Sequence, residues 1–156
     1  MGNRCHIQCA EEKDVTLYLQ WNGDIKYILG YLDGAKRLLA ELGESARMDL
    51  FNFGVIIQNS FGRLGFNAYM DKTIENNISC DNGNYIIDFT TLTIVGRGIR
   101  KYPIEGDVAT RVKNAKIVFL DSDAIEKEMN DARNNDATTI AEVGERILER
   151  NLHIFN

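Results

Sequence analysis

The sequence predicts one α+β domain, in which a mostly antiparallel sheet is covered by a helical hairpin and followed by C-terminal helices. Its 156 residues are 44% hydrophobic and 26% charged, which is typical of one globular domain. The apolar residues repeat with a period of two, change to a helical period, and return to the period of two before the last helices. The resulting order, ββαα-ββββ-αα with short connections, favours antiparallel pairing.

The N-terminal residues carry two strand patterns and then a helical one. Strands are predicted over residues 4–9 and 15–21, and the second alternates apolar and polar side chains. Behind Asp24 the apolar residues fall on one helical face, and Gly43 ends the pattern. The first helix is therefore expected between these two residues.

Two glycines interrupt the apolar face of this first helix. Gly30 and Gly34 each weaken a helix by about 1 kcal/mol relative to alanine, which close packing of another element would explain. A second helix is predicted from residue 45 or 46 to Phe61, behind a short glycine turn. Together the two helices would form an antiparallel hairpin on one face of the sheet.

The strand pattern returns after the second helix. Residues 67–75 have a strand pattern, and the Asp-Asn-Gly sequence at 81–83 is the strongest hairpin signal of the chain. It leads into strands at residues 85–87 and 91–100. Residues 116–120 fit either a short strand or the end of a helix, and the local pattern does not distinguish the two. The stretch between these last two segments is expected to be irregular.

Two helices are predicted at the C-terminal end, over residues 122–134 and 138–151. The second is expected to begin with a capping box of Thr139 and Glu142, in which each side chain bonds the exposed backbone N–H of the other residue. With these helices the chain forms one domain, made of a charge-neutral αβ core over residues 1–120 and an acidic helical segment behind it.

The net charge of −5 lies entirely in the C-terminal quarter. Residues 121–156 hold nine acidic and four basic side chains, whereas the residues before them sum to zero. Residues 97–116 carry six basic and two acidic side chains. Either the acidic helices neutralise this basic band, or they bind a basic partner. The residues expected to bind such a partner are Asp121, Asp123, Glu126, Glu128 and Asp131.

The cysteines and histidines are few, and their spacing argues against a metal or catalytic site. Cys5 and Cys9 have a usable spacing for zinc, but His6 between them would face the other side of a strand. A Cys5–His6 nucleophile pair fails for the same reason. The sequence contains no phosphate-binding loop, Gly-x-Ser-x-Gly or HExxH motif. We therefore expect reduced core cysteines, including Cys80, no metal or other cofactor, and no enzymatic activity.

The Trp-Asn-Gly sequence at 21–23 joins the second strand to the first helix, and it has two interpretations. In the first it is a structural device, in which Gly23 permits a sharp turn, a polar neighbour caps the helix, and Trp21 forms a cation–π contact with Arg4. In the second it is part of a small-molecule site. That site would be lined by Arg4, Trp21, Asn22, Gly23 and Arg97.

Three short motifs lie before the acidic helices. They are Met-Gly-Asn-Arg at 1–4, Leu-Tyr-Leu-Gln-Trp-Asn-Gly-Asp at 17–24, and the stretch from Asp-Asn-Gly-Asn-Tyr to Ile-Val-Gly-Arg-Gly at 81–98. Together they resemble a family of uncharacterised proteins from phages and mobile elements of Gram-positive bacteria. The resemblance does not extend to the acidic helices. It implies a phage or prophage origin and implies no particular activity.

These observations lead to three functional hypotheses. The first is a non-enzymatic phage anti-defence protein, for example a CRISPR nuclease inhibitor, whose acidic face binds the basic nucleic-acid channel of a host defence protein. The second is a protein that sequesters a nucleotide signal, and the third is a structural or oligomerising phage protein. A pI of about 5.1 argues against direct nucleic-acid binding. Without a membrane-spanning or secretory segment, we expect a cytoplasmic protein.

Overall fold

The structure, a computed structural model, describes residues 3–12, 15–43, 45–62, 66–70 and 80–153, and of residues 66–70 the backbone alone. The described strands are β1 (Cys5–Cys9), β2 (Val15–Leu19), β3 (Phe66–Met70), β4 (Asn84–Asp88), β5 (Thr93–Lys101) and β6 (Lys116–Phe119). The described helices are α1 (Ile25–Leu42), α2 (Leu50–Phe61), α3 (Val108–Lys113), α4 (Ser122–Asn135) and α5 (Ala137–Asn151). None of these helices is both long and apolar enough to cross a bilayer.

The strands form one sheet in the order β3-β2-β1-β4-β5-β6. Among the described strands, every neighbouring pair is antiparallel except β1 with β4, which is parallel. The sheet is therefore mostly antiparallel, and the α+β class predicted from the sequence is confirmed. β4 and β5 form a hairpin, with Leu92 in its turn at a φ of 54°.

The central strand β1 is buried on both faces. Ile7, its antiparallel partner Leu17 and its parallel partner Tyr85 are fully buried and belong to one core with apolar residues of α1, α2 and α5. The neighbours of Ile7 along the strand, His6 and Gln8, point to the opposite face and are also buried. Strand β1 thus separates an apolar core under the helices from a polar layer on the other side of the sheet.

Glycines allow α5 to pack directly against α1. A Cβ atom at Gly30 would lie 2.5 Å from the side chain of Val143, and one at Gly34 would lie 2.5 Å from that of Ile147. This crossing confirms that the two glycines mark close packing of another element. Because Val143 and Ile147 belong to the core, the acidic C-terminal segment is an integral part of the domain.

The second helix begins later than its sequence pattern predicts. The Asp49 side chain accepts a hydrogen bond of 2.7 Å from the N–H of Asn52, so α2 starts at Leu50 rather than at residue 45 or 46. The predicted hairpin of helices is nevertheless formed. The ring of Tyr31 on α1 meets the ring of Phe53 on α2 edge-on, with 6.4 Å between the centroids.

Helix α5 begins one residue earlier than predicted, and its N-cap residue is not the predicted one. Helix α5 starts at Ala137, directly behind Asp136, which ends α4. Thr139 therefore lies inside the first turn of α5. The predicted capping box of Thr139 and Glu142 is wrong, because the N-cap residue precedes the first turn of a helix and Thr139 lies within that turn.

The Asp-Asn-Gly sequence at 81–83 forms a turn, but the hairpin predicted there is wrong. Strand β4 behind the turn pairs with β1 and β5, and two strands separate it from β3. Of the strand predicted at residues 67–75, the structure describes β3, and residues 71–75 lie outside the described parts. A turn sequence determines the local reversal of the chain, whereas the choice of strand partner depends on the whole sheet.

The segment that joins β5 to β6 contains a short helix. Helix α3 follows Asp107, whose side chain accepts a hydrogen bond of 2.8 Å from the N–H of Thr110. Residues 116–119 form β6, which resolves the strand-or-helix alternative in favour of a strand. Helix α3 was not expected, because six residues are too few for a helical period to be recognised.

Candidate functional site

The described residues of the motifs at 1–4, 17–24 and 81–98 meet at one end of the sheet. The N–H of Asn82 donates to the carbonyl of Arg4 at 2.9 Å, and the N–H of Gly23 donates to the carbonyl of Asn3 at 2.8 Å. Gly83 has a φ of 68°, and a Cβ atom there would lie 2.0 Å from a backbone oxygen of β5. We call this region the motif junction, and it consists of residues 3–4, 21–23, 81–83 and 97.

Arg4 is held within the motif junction by an ion pair. Its guanidinium lies 2.9 Å from the carboxylate of Asp81, and Arg100 lies 3.7 Å from the same carboxylate. The hydrogen bond from Arg4 is the main cause that lowers the pKa of Asp81 below its ordinary value, and the same bond raises the pKa of Arg4. Arg4 therefore ties the N-terminal motif to the turn at 81–83.

Of the structural interpretation of the Trp-Asn-Gly sequence, the requirement for glycine is borne out, but Asp24 at the N-cap of α1 makes no side-chain capping hydrogen bond. A Cβ atom at Gly23 would lie 2.6 Å from the carbonyl oxygen of Asn3, so only glycine fits. Asn22 has a φ of 56°, and its carbonyl accepts a hydrogen bond of 3.0 Å from the hydroxyl of Tyr31. This hydrogen bond holds the chain behind β2 against α1.

The cation–π contact expected between Trp21 and Arg4 is not formed. Cys5 and its partner Leu19 face the helices, so Arg4 points to the opposite side of the sheet. Trp21 is 45% exposed. The cation–π pairs between described residues include Arg97 with Tyr85, and none joins Trp21 to Arg4.

Arg97 is a buried structural residue. Its guanidinium lies 4.1 Å from the ring centroid of Tyr85 and donates a hydrogen bond of 2.8 Å to Glu128 on α4. It also donates to the carbonyls of Asn82 and Gly98. Burial raises the pKa of the Tyr85 hydroxyl well above its ordinary value, so the ring stays neutral beside the cation.

The predicted small-molecule pocket is therefore not assembled. Arg97 lies on the helix side of the sheet and Arg4 on the other side, and each is bonded to a carboxylate. Of residues 21–23, Gly23 bonds the N-terminal motif through its backbone N–H, and the Asn22 carbonyl bonds Tyr31 on α1. The two arginines therefore do not converge on one site.

His6 has a thiol neighbour that sequence reasoning did not find. The Sγ atom of Cys80 lies 3.1 Å from Nδ1 of His6, and both side chains are fully buried. Cys5 lies on the helix side of the sheet, where burial raises its pKa well above the ordinary value. Cys9 is on that side too, so the four candidate zinc ligands are split between two faces. The described residues contain no group of three metal-type ligands.

The five acidic residues expected to bind a partner have different environments. Asp121 caps α4 through a hydrogen bond of 2.8 Å from Ala124, and Glu128 binds Arg97. Asp131 forms an exposed ion pair with Lys127 one helical turn away, at 2.7 Å. The remaining two, Asp123 and Glu126, are exposed and have no ion pair within the described parts of the chain.

The basic band is not neutralised by the acidic helices, except at Arg97. Lys101, Lys113 and Lys116 are exposed and form no ion pair with the described acidic residues. Arg111 donates to the carbonyl of Pro103 at 2.7 Å, which leaves its charge uncompensated. The positive charge of this part of the chain is therefore open to solvent.

The same part of the chain exposes apolar side chains. Ile104 is 95% exposed and Val108 is 76% exposed, and none of the residues of α3 is buried. Val118 and Phe119 on β6 are 43% and 44% exposed. The recurrence of apolar residues at 104, 108 and 112 was a signal for this surface that sequence reasoning missed. We call residues 101–119 the edge arm.

Comparison with known proteins gives no assignment. No protein-family model matches the sequence, and neither the curated proteins nor the solved structures contain a significant match.

Proposed function

We propose that this protein acts by binding another protein and that it is a non-enzymatic phage anti-defence protein. The partner is a host defence protein with a basic nucleic-acid channel, such as a CRISPR nuclease, which the acidic side of α4 would occupy. The resemblance of its motifs to phage and mobile-element proteins supports the biological setting. The charge distribution supports the mode of binding.

The observation that carries the proposal is the unpaired charge on α4. Asp123 and Glu126 lie three residues apart, so they share one side of the helix, and both are exposed. Helix α5 adds two more exposed carboxylates, Glu142 and Glu149, which have no ion pair in the described structure. Carboxylates without a partner in the folded chain are available for a partner outside it.

The mechanism follows from long-range attraction. A cluster of negative charge accelerates association with a positively charged groove, and the acceleration weakens as salt screens the charges. Once bound, carboxylates compete with nucleic-acid phosphates for the same lysine and arginine side chains. Inhibition therefore requires no catalytic group on this protein.

The alternative of a nucleotide-sequestering protein has less support. Its two arginines, Arg4 and Arg97, are bonded to Asp81 and Glu128, so a phosphate would have to displace a carboxylate from each. The third hypothesis, a structural phage protein, makes no use of the unpaired acidic residues. Of the three hypotheses, the acidic-face proposal is the one that uses the unpaired carboxylates of α4.

The experiment first isolates the partner by affinity capture from a host that carries defence systems, and then measures its association rate. The test variant is Asp123→Asn with Glu126→Gln, which removes two charges that form no internal pair. The matched control is Glu11→Gln with Glu41→Gln, which removes the same net charge from exposed positions elsewhere. We expect about tenfold slower association for the test variant at low ionic strength, and a smaller difference at high ionic strength. Equal rates for the two variants would reject the acidic face.

A further inference from the structure

Strand β6 has an open edge. Among the described strands it is the last in the sheet order and pairs with β5 alone. Its residues are mostly exposed, so no described element covers it. An edge strand of this kind presents a row of unpaired backbone groups, to which another extended chain can add.

The register shows which backbone groups point outward. The N–H of Leu120 donates to the carbonyl of Arg97 at 2.9 Å, so these two residues form a hydrogen-bonded pair of the ladder. Bonded and non-bonded pairs alternate along an antiparallel ladder. Phe119 and Ile117 therefore occupy non-bonded positions opposite β5, and their N–H and C=O groups point to the open edge.

The side chains of the edge arm fit a protein partner. Ile104 and Val108 are 95% and 76% exposed, and a protein partner that covered them would gain the free energy of removing their apolar area from water. They do not stack with bases as aromatic rings do. Of the two aromatic rings of the arm, Tyr102 already lies under the guanidinium of Arg100 at 4.9 Å, and Phe119 is 44% exposed. These features favour a protein segment over nucleic acid.

The charges of the edge arm indicate that the partner segment is negatively charged. The arm holds four basic and two acidic residues, and the acidic Asp107 is occupied as the cap of α3. A second copy of the chain that paired edge to edge would bring two positive arms together, which is unfavourable. A strand with acidic side chains would instead meet Lys101, Lys113 and Lys116.

We propose that the open edge of β6 binds an extended acidic segment of a partner protein as an additional strand of the sheet. The outward backbone groups of Ile117 and Phe119 pair with the segment, the exposed apolar side chains of the edge arm contact its apolar residues, and the lysines contact its carboxylates. This proposal uses none of the acidic side chains of α4. Each of the two proposals can therefore fail without the other.

The test uses a blocked ten-residue peptide of alternating valine and glutamate, with the same peptide carrying lysine in place of glutamate as its control. We expect the glutamate peptide to bind about tenfold more tightly, since a few exposed ion pairs differ in sign between the two peptides. Binding should also slow hydrogen exchange at the backbone N–H groups of Ile117 and Phe119. Equal affinity of the two peptides, or unchanged exchange at these groups, would overturn the proposal.

A pair of variants separates backbone pairing from side-chain contact. Phe119→Ala removes the ring but keeps the outward N–H, whereas Phe119→Pro removes the N–H as well. Proline is tolerated on an edge strand where its N–H would face solvent. We expect Phe119→Pro to bind the glutamate peptide at least about tenfold more weakly than Phe119→Ala. Equal binding by the two variants would contradict strand addition.

A charge-reversed variant tests the same proposal without removing a backbone hydrogen-bonding group from the strand ladder. Lys113→Glu with Lys116→Glu changes two exposed side chains, and we expect it to prefer the lysine peptide. A continued preference for the glutamate peptide would contradict the assigned charge complementarity. A wild-type dimer in sedimentation that Phe119→Pro dissociates would instead assign the edge to a second copy. Tight binding of a single-stranded oligonucleotide, lost in the charge-reversed variant, would assign it to nucleic acid.

Discussion

The motif junction and the edge arm are joined by strand β5, yet their polar and apolar groups have opposite environments. In the motif junction, Arg4 and Arg97 are bonded to carboxylates and the glycines lie against backbone oxygens. In the edge arm, Ile104 and Val108 are 95% and 76% exposed, and the lysines have no ion pair with described acidic residues. The residues that stand out in the sequence therefore hold the fold, whereas the inconspicuous ones form the available surface.

The comparison is tested most strongly by one glycine from each region. Gly83 and Gly106 both have positive φ, at 68° and 104°. A Cβ atom at Gly83 would lie 2.0 Å from a backbone oxygen, whereas one at Gly106 would come no closer than 3.3 Å, to the side chain of Thr110. We expect Gly83→Ala to lower the free energy of unfolding by about 4 kcal/mol, and Gly106→Ala by about 1 kcal/mol. Urea unfolding of both variants measures the difference. Similar losses would mean that the motif junction is not the more rigid region.

A buried cation provides the next largest effect. We expect Arg97→Met to lower the free energy of unfolding by about 3 kcal/mol, because Glu128 and two backbone carbonyls lose their donor. The matched change in the edge arm is Arg111→Met, which removes one bond to a carbonyl, and we expect a loss of about 1 kcal/mol or less. Thermal unfolding of both variants measures the two losses of stability. A larger loss for Arg111→Met than for Arg97→Met would contradict the assignment.

Trp21 lies in the motif junction but is half-exposed, so we expect its substitution to have an intermediate effect on stability. Full burial would make Trp21→Ala cost about 3–5 kcal/mol, but the side chain is 45% exposed. We therefore expect a loss of about 1–2 kcal/mol in the free energy of unfolding, in proportion to the area that is buried. An unchanged melting temperature together with lost biological activity would identify Trp21 as a binding residue instead.

The ion pair of Arg4 with Asp81 predicts a pH dependence. The folded-state pKa of Asp81 lies below its ordinary value of about 3.9, so its ionised form stabilises the protein above that pH. The contribution is lost as the pH falls through the folded-state pKa. Because the pair is partly exposed, we expect Asp81→Asn to cost about 1 kcal/mol or less at neutral pH, and the difference from wild type to disappear in strong acid. Urea unfolding at both pH values tests this, and a difference that persists in acid would contradict it.

The smallest effect on stability is expected in the edge arm. Ile104→Ser removes a side chain that is 95% exposed, so the free energy of unfolding should change by less than about 0.5 kcal/mol. Binding of the valine–glutamate peptide should nevertheless weaken. Chemical unfolding and peptide titration of the same preparation provide both measurements. A large loss of stability would show that the edge arm belongs to the core after all.

The parts of the fold predicted correctly from the sequence are those controlled by local patterns. The change of period at Asp24 predicted α1, and the two glycines inside it predicted the close contact that α5 makes. The hairpin at 81–83 was predicted wrongly, because the turn is local but the pairing of β4 with β1 joins distant residues. The predicted Thr139 cap was wrong because α5 follows α4 with only Asp136 between them, so that Thr139 already lies in the first turn of α5.

The candidate surfaces were less predictable than the fold. The charge excess of α4 was visible in the sequence, but which carboxylates stay unpaired depends on partners such as Arg97, thirty-one residues away from Glu128. His6 and Cys80 are seventy-four residues apart and meet only because β1 lies beside β4. The apolar recurrence at 104, 108 and 112 was visible in the sequence, but it does not distinguish an exposed surface from a buried one. Exposure of the edge arm depends on the position of β6 at the end of the described sheet.

The glycine contact between α1 and α5 has a consequence for how the chain folds during synthesis. Ribosomes add roughly 5–20 residues per second, so the approximately one hundred residues between α1 and α5 leave α1 without its partner for roughly 5–20 s. Throughout that time the surface around Gly30 and Gly34 is available to chaperones and to neighbouring nascent chains. Helix α5 is thus the element whose docking ends this exposure.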